Sequence, residues 1–212
     1  MWVRLILAPV ISSASPLGLG SASPRRRALL EQLGIPILII RADVDERGRR
    51  GETPAAYLER VTRDKLVAVS ADRRAERASV LLVADTIVLI DGEVLGKPQS
   101  TGDAAAMLER LSGRVHEVWT RFALGRAQGG ASAVVHAETV CTRVEFRPLT
   151  AQAITRYVAT GEGMDKAGAY AIQGVGSFAV SRIEGSYSNV VGLPVCEVVV
   201  ALEVQGFVPT FP

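Results

Sequence analysis

Apolar and polar positions along this chain switch between a strand-like and a helix-like period, and the switches lay out its elements. Leu17 to Gly20 is a short strand-like run that hands over to a helix-like run from Ala28 to Leu33. Ser23 suits the cap of that helix, Pro24 its first position and Gly34 its end. Ile35 to Ile40 reads as a second buried strand, closed by the acidic stretch Asp43-Val44-Asp45-Glu46 and a polar loop from Arg47 to Gly51. Thr53-Pro54 then opens a long amphipathic helix to about Asp72, with Tyr57, Val61, Leu66 and Val69 near one face. Ser79 to Ala84 is a strongly apolar strand running into Asp85-Thr86. Ile87 to Ile90 and Glu93 to Leu95 flank Asp91-Gly92, a strong hairpin signal. Asp103 to Leu111 predicts a further helix, stopped by Ser112-Gly113. Two longer strands are expected over Val115 to Leu124 and Ala133 to Phe146, with Gln128-Gly129-Gly130 as their turn. Thr150 caps another helix, Ala151 to Ala159, which Gly161 ends. The glycine-rich stretch from Gly163 to Gly192 carries short strand patterns, and Pro194 starts a last helix to about Gln205.

Helices and strands alternate without segregating, so the class is α/β. The hairpin and the long strands after it call for a mixed sheet rather than a purely parallel one. No linker separates independent domains. The expected organisation is one domain over residues 16–212 behind an extension over 1–15, whose role the motifs do not define. Within that extension Ser13-Ala14-Ser15-Pro16 repeats as Ser21-Ala22-Ser23-Pro24, but only the second copy leads into arginines and a helix pattern. The first copy is read as an extra strand or as sequence upstream of the true start. The apolar run at the N-terminus is short and broken by Pro9, a poor secretory signal, and no stretch approaches membrane-spanning length.

With 24 basic and 22 acidic residues the net charge is only +2, so wholesale coating of nucleic acid is not expected and any cationic function is local. Cys141 and Cys196 form no metal-ligand or redox motif, which fits a reduced, cytoplasmic protein. The densest local charge is Ser21-Ala22-Ser23-Pro24-Arg25-Arg26-Arg27. A helix start offers unpaired N–H groups and partial positive charge, and arginines with serine hydroxyls there suit a highly charged anion such as a polyphosphate. A capped surface helix with a solvated basic face accounts for the segment equally well when it is taken alone.

Asp85 puts a charge inside what should be buried strand. An unpaired buried carboxylate is costly, so it calls for a metal, a cation or a catalytic reason, unless it merely caps a loop at a strand end. Glu46 sits in a second acidic cluster at another strand end, whereas Asp43 and Asp45 read as solvated. Two carboxylates near a phosphate site suit a hard cation such as Mg²⁺. Lys65, in mid-helix, and Lys97, held in Gly96-Lys97-Pro98, can neutralise phosphate charge. In Asp165-Lys166-Ala167-Gly168-Ala169-Tyr170-Ala171-Ile172-Gln173-Gly174, small residues allow a flat ligand close approach, and Gln173 offers the donor and acceptor that a base edge needs, unless it is a buried glutamine satisfied by backbone. Gly185 to Asn189 either lines the same cleft or forms a loop before the last helix.

Gly18-Leu19-Gly20-Ser21-Ala22-Ser23 nearly matches a dinucleotide-binding fingerprint, but the third glycine is missing and the strand–helix alternation fails after Asp43. There is no Walker A sequence, and two histidines without a partnered serine and acid argue against triad hydrolysis.

Ser21-Ala22-Ser23-Pro24-Arg25-Arg26, the loop ending at Glu46, Lys65, Ala84-Asp85-Thr86, Gly96-Lys97-Pro98, Lys166-Ala167-Gly168-Ala169-Tyr170 and Asn189-Val190-Val191-Gly192-Leu193-Pro194 occur in the order of the Maf family. The chain resembles that family over about Leu17 to Gly206. The resemblance implies a fold like that of inosine triphosphate pyrophosphatases: an elongated mixed β-sheet with flanking helices and two lobes around a cleft. It implies hydrolysis of a nucleoside triphosphate to the monophosphate and pyrophosphate with a divalent metal, Mg²⁺ or Mn²⁺. On matching positions it makes Asp85 the proton acceptor and ties Arg25, Thr86 and Gln173 to base specificity. Ala84-Asp85-Thr86 and Tyr170-Ala171-Ile172-Gln173-Gly174 resemble the branch acting on dTTP and UTP. In the combined reading Ser21, Arg25, Arg26, Lys65 and Lys97 bind phosphate, and Glu46 and Asp85 hold the metal. The alternatives are a 7-methyl-GTP or other modified-nucleotide pyrophosphatase, or a non-catalytic nucleotide-binding regulator of cell division. The substrate is a nucleotide, with neither nucleic acid nor membrane as partner. A homodimer is compatible with the resemblance, although no stripe in the sequence points to one.

Overall fold

The computed structural model describes residues 10–128 and 131–211. Its centre is one seven-stranded sheet. The strands are β1 (Leu17–Leu19), β2 (Ile37–Ile39), β3 (Val80–Ile90), β4 (Glu93–Leu95), β5 (Val115–Gln128), β6 (Ala131–Phe146) and β7 (Val180–Glu184). The order is β2-β1-β3-β5-β6-β7, with β4 also on β3. β1 runs parallel to β2 and β3, and all other pairs are antiparallel, so the sheet is mixed as expected. The helices are α1 (Pro24–Gln32), α2 (Pro54–Ser70), α3 (Thr101–Leu111), α4 (Ala151–Ala159), α5 (Tyr187–Val191) and α6 (Val195–Val204).

The local signals act where they stand. Ser23, Thr53 and Thr150 each cap a helix through the side-chain oxygen. Asp91 and Gly92 both take positive φ, 55° and 76°, which the tight turn between β3 and β4 requires. Three expectations are corrected. The glycine-rich stretch holds only one strand, β7. The rest is 3₁₀ turns over Ala167–Ala169 and Val175–Ala179 plus the short α5, because Gly168, Gly174, Gly185 and Gly192 all sit at positive φ and bend the chain. The first Ser-Ala-Ser-Pro copy is an irregular segment, not a strand. It is tied down where the Ser79 hydroxyl donates to the Ser15 carbonyl and Ile11 N donates to Phe207 O. The apolar strand does not stop at Asp85-Thr86 but continues to Ile90. The turn assigned to Gln128-Gly129-Gly130 falls partly outside the described residues.

Strand β3 explains the two lobes. On one face Val80, Leu82 and Ala84 join a core with Leu19, Leu30, Phe122 and Leu202, while Val88 and Ile90 join another with Leu108, Phe146 and Tyr170. On the other face Leu81 and Val83 pack with Leu66 and Val69, while Ile87 and Leu89 pack with Leu58. Asp85 and Thr86 fall at the break on both faces. The edge of β3 breaks there too. β1 covers only Val80 to Leu82 and β4 only Val88 to Ile90, so Val83 to Ile87 have no strand partner on that edge among the described residues. Such a gap where strand order changes is where α/β sheets place their ligand crevices.

Candidate active site

The cleft over this open edge encloses about 600 Å³, a volume suited to a small organic ligand. Its floor is Asp85 to Val88. Its walls come from the β1–α1 turn, the acidic loop, Gly96-Lys97, the segment from Asp165 to Gln173, and Val190 to Gly192.

The β1–α1 turn can lie against the sheet only because of Gly20. A Cβ there would stand 2.6 Å from methyl groups of both Val69 and Val83. Ser21 Oγ accepts from Ser23 N at 3.1 Å and from Arg26 Nη1 at 3.3 Å. Arg26 also donates to Gly192 O at 2.7 Å and to Thr86 Oγ1 at 3.0 Å, so it stitches α1 to β3 and to the turn before α6. Burial lowers the Arg26 pKa, and the nearby Asp85 carboxylate opposes that shift. Arg25 is freer: it reaches Val191 O at 3.4 Å and Asp165 at 3.8 Å, and its side chain keeps 30% exposure. Arg27, counted with the basic cluster from sequence, turns away from the cleft and pairs with Glu31 one helical turn on.

The acidic side is organised by Lys65. Its Nζ lies 2.6 Å from Asp85 Oδ1 and 2.6 Å from Glu46 Oε1. The carboxylate inside the strand is therefore not unpaired. Lys65 serves it on one face of the sheet, while its neighbour Thr86 meets Arg26 and Thr120 on the other. This is why β3 runs on: both polar residues are satisfied, and the ladder to β5 continues through Asp85 and Thr86. Lys97 approaches Glu46 Oε2 at 3.6 Å. Burial would raise the Glu46 pKa, but Lys65, Lys97 and Arg26 outweigh it and hold the carboxyl below its ordinary value. Asp43 and Asp45 are exposed, as expected, and Asp45 pairs with Arg47.

Two residues of α2 that the sequence reading did not single out for chemistry hold the acidic loop. The Tyr57 hydroxyl donates to Glu46 O at 2.9 Å. Arg60 forms a buried two-point pair with Glu52 and donates to Arg47 O at 3.0 Å and Asp45 O at 3.3 Å.

At the far wall Ala171 and Ile172 are buried and Gln173 is exposed into the cleft. Gly185 to Asn189 does not line the cleft. Ser186 caps α5, and the fully buried Asn189 amide donates to Val118 O and Thr142 Oγ1, both at 3.0 Å. Thr86, read as a specificity residue, sits on the Arg26 side with its hydroxyl engaged by Arg26, Thr120 and Gly192 O. Among the described residues no helix is long and apolar enough to cross a membrane.

The structure thus gathers Ser21, Arg25, Arg26, Glu46, Lys65, Asp85, Thr86, Lys97 and Gln173 around one cleft. A cationic end and an acidic end face a wall with an amide, an arrangement able to hold a polyphosphate, deprotonate a water and read a flat polar ring. The family model described as Maf-like protein matches residues 16–205. A protein from Geobacter sp. (strain M21) named dTTP/UTP pyrophosphatase is 51% identical over 193 residues, 91% of this chain and 96% of its own length. Proteins of the same name are 50% identical in Citrifermentans bemidjiense, over 91% of this chain and 96% of theirs, and 48% identical in Hahella chejuensis, over 90% and 92%.

Proposed function

The chain belongs to the Maf family, and from that membership we propose that it hydrolyses dTTP and UTP to the monophosphate and pyrophosphate. The observation that carries the chemistry is the bridge from Lys65 to Asp85 and Glu46 on the open edge of β3. It holds two carboxylates at one side of a cleft whose other side is built from Ser21, Arg25 and Arg26. The name shared by the relatives favours dTTP and UTP over 7-methyl-GTP, and a catalytic role over a purely regulatory one.

The roles follow from which atoms are already committed. Arg26 spends its donors on Ser21, Thr86 and Gly192, so it fixes the phosphate loop, and Arg25 is the arginine free to turn onto the phosphate tail. The α1 N-terminus adds partial positive charge, and Lys97 adds a full charge at the mouth. Asp85 gives Oδ1 to Lys65 and keeps Oδ2 for the attacking water, whose proton it accepts as water adds to the α-phosphorus and pyrophosphate leaves. Gln173 reads the base edge.

No group of His, Cys, Asp and Glu among the described residues forms a self-contained metal cage. Each carboxylate oxygen keeps a lone pair beyond its lysine contact, so Glu46 and Asp85 would still hold Mg²⁺ or Mn²⁺ of the kind that takes one or two carboxylates and fills its shell from phosphate and water. When bound there, the ion would neutralise charge building on the phosphate oxygens. Both cysteines are free and exposed, which suits a reducing, cytoplasmic setting.

Pyrophosphate release from dTTP, UTP, CTP, GTP, ATP and 7-methyl-GTP, with Mg²⁺, with Mn²⁺ and with EDTA, tests the reading. Metal-dependent release favouring dTTP and UTP is expected. A preference for 7-methyl-GTP would overturn the substrate, undiminished release in EDTA would overturn the metal, and a folded protein with no turnover would overturn the hydrolase.

A further inference from the structure

Gln173 lines the cleft, yet among the described residues its amide has no protein hydrogen-bond partner. A primary amide free to rotate can present its donor and acceptor in either order, so by chemistry alone it suits a uracil-type edge or a cytosine-type edge. What fixes its reading is where the backbone holds it relative to the phosphate site.

That backbone is anchored from outside the cleft. Before Gln173, Ala171 N donates to the Tyr157 hydroxyl of α4 at 3.1 Å. After it, Val175 N and Gly176 N donate to the two oxygens of the Glu162 carboxylate at 2.9 and 2.8 Å. Tyr157 in turn donates to Glu162 at 2.9 Å, which closes the frame. The fit leaves no slack. Gly174 stands at φ +83°, and a Cβ on it would come within 2.2 Å of Glu162 Oε1. The Glu162 carbonyl accepts from Lys166 Nζ at 2.6 Å, which ties the anchor to the loop bearing Asp165. Neither Tyr157 nor Glu162 lines the cleft.

We propose that Glu162, with Tyr157, is a positioning residue for base selectivity: its carboxylate clamps the turn after Gln173 and so sets where the base-reading amide stands. This rests on the nucleotide reading of the cleft. Hydrogen bonds to a carboxylate are among the stronger ones, so loosening this clamp reaches Gln173 directly. The phosphate end, built on α1 and β3, meets this frame at the 3.8 Å contact between Arg25 and the exposed Asp165, a surface pair that carries little coupling.

The two products separate the two ends of the site, since dTMP carries a base and inorganic pyrophosphate does not. Titration calorimetry of both ligands with Mg²⁺ on the wild-type chain, Glu162→Gln, Gln173→Ala and the double variant tests the proposal. Glu162→Gln keeps the shape but turns an amide toward one of two N–H groups. Its dTMP dissociation constant is expected to rise about tenfold, the factor that goes with one lost charge-assisted hydrogen bond, with pyrophosphate binding within about twofold of wild type. Because Glu162 acts through Gln173, the double variant should bind dTMP no more weakly than Gln173→Ala alone. Should Glu162→Gln not fold, Tyr157→Phe loosens the same frame and should show the same selective loss, smaller in size. Equal weakening of both ligands, unchanged dTMP binding, additive losses in the double variant, or a wild type that binds no dTMP would each overturn the proposal. A wild type that binds both products but releases no pyrophosphate from dTTP would overturn the hydrolase reading alone.

Discussion

Acid should weaken this protein through one histidine well before its carboxylates titrate. His116 on β5 is only 2% exposed. Its Nε2 is 2.8 Å from the Tyr170 hydroxyl, its ring meets Phe146 and Tyr170 edge-on at 5.0 and 5.4 Å, and its Nδ1 is buried with no partner. Nothing in that pocket welcomes a cation, and burial pushes the His116 pKa down to about 4. The unfolded chain takes up a proton near pH 6.5 while the folded chain resists, so stability is lost as pH falls from 6.5 toward 4. A group titrating at about 4 when folded and near 6.5 when unfolded gives up about 2 kcal/mol between pH 7.5 and 5, and about 3 kcal/mol below pH 4. For a chain of this size 2 kcal/mol is a fall of roughly 4–8 °C in melting temperature. Thermal or urea unfolding from about pH 7.5 to 5 on wild type and His116→Gln reads it directly. Glutamine can still bond to the Tyr170 hydroxyl but cannot be protonated, so the variant should start less stable and show a flatter pH profile. Parallel profiles would refute the reasoning and place the acid sensitivity elsewhere.

The remaining expectations concern the acidic side of the cleft. Lys65→Met strands two carboxylates, one of them almost fully buried, and should cost about 3 kcal/mol at neutral pH in urea unfolding. Lys65 helps hold the Glu46 carboxyl below its ordinary value, a contribution present above the unfolded value and lost as pH falls through the folded one, so the gap to wild type should narrow below about pH 4.5. A gap that stays below about 1 kcal/mol would show that solvent, not Lys65, satisfies the pair. Asp85→Asn keeps an oxygen for Lys65 but loses the proton acceptor. Pyrophosphate release should fall about 10²–10⁴-fold with the circular dichroism spectrum intact, and wild-type turnover would remove Asp85 from the chemistry.

Much of this molecule was legible from neighbours in sequence. Ser23-Pro24, Thr53-Pro54, Thr150 and Asp91-Gly92 act through hydrogen bonds and dihedral angles that span only a few residues, so local rules place them. The polar residues of the cleft were legible as well, because arginines at a helix start and a charge inside an apolar run are conspicuous without a structure. What those residues do to one another was not legible. Asp85 looked like the end of a strand because its lysine partner lies 20 residues earlier and its neighbour's arginine 60 residues earlier. Only packing α2 on one face of the sheet and α1 on the other brings them together and lets β3 run through. The same packing separates Arg25, free to move, from Arg26, already committed, and turns Arg27 out of the site. Glu162 gave no signal, since two of its three partners are backbone N–H groups whose identity is invisible in the residue string. Sequence by itself determined which chemical groups the cleft contains and where the chain turns. Tertiary structure decided which are spent on holding the site and which remain for a ligand, because a hydrogen bond between distant residues exists only once the chain has closed around it.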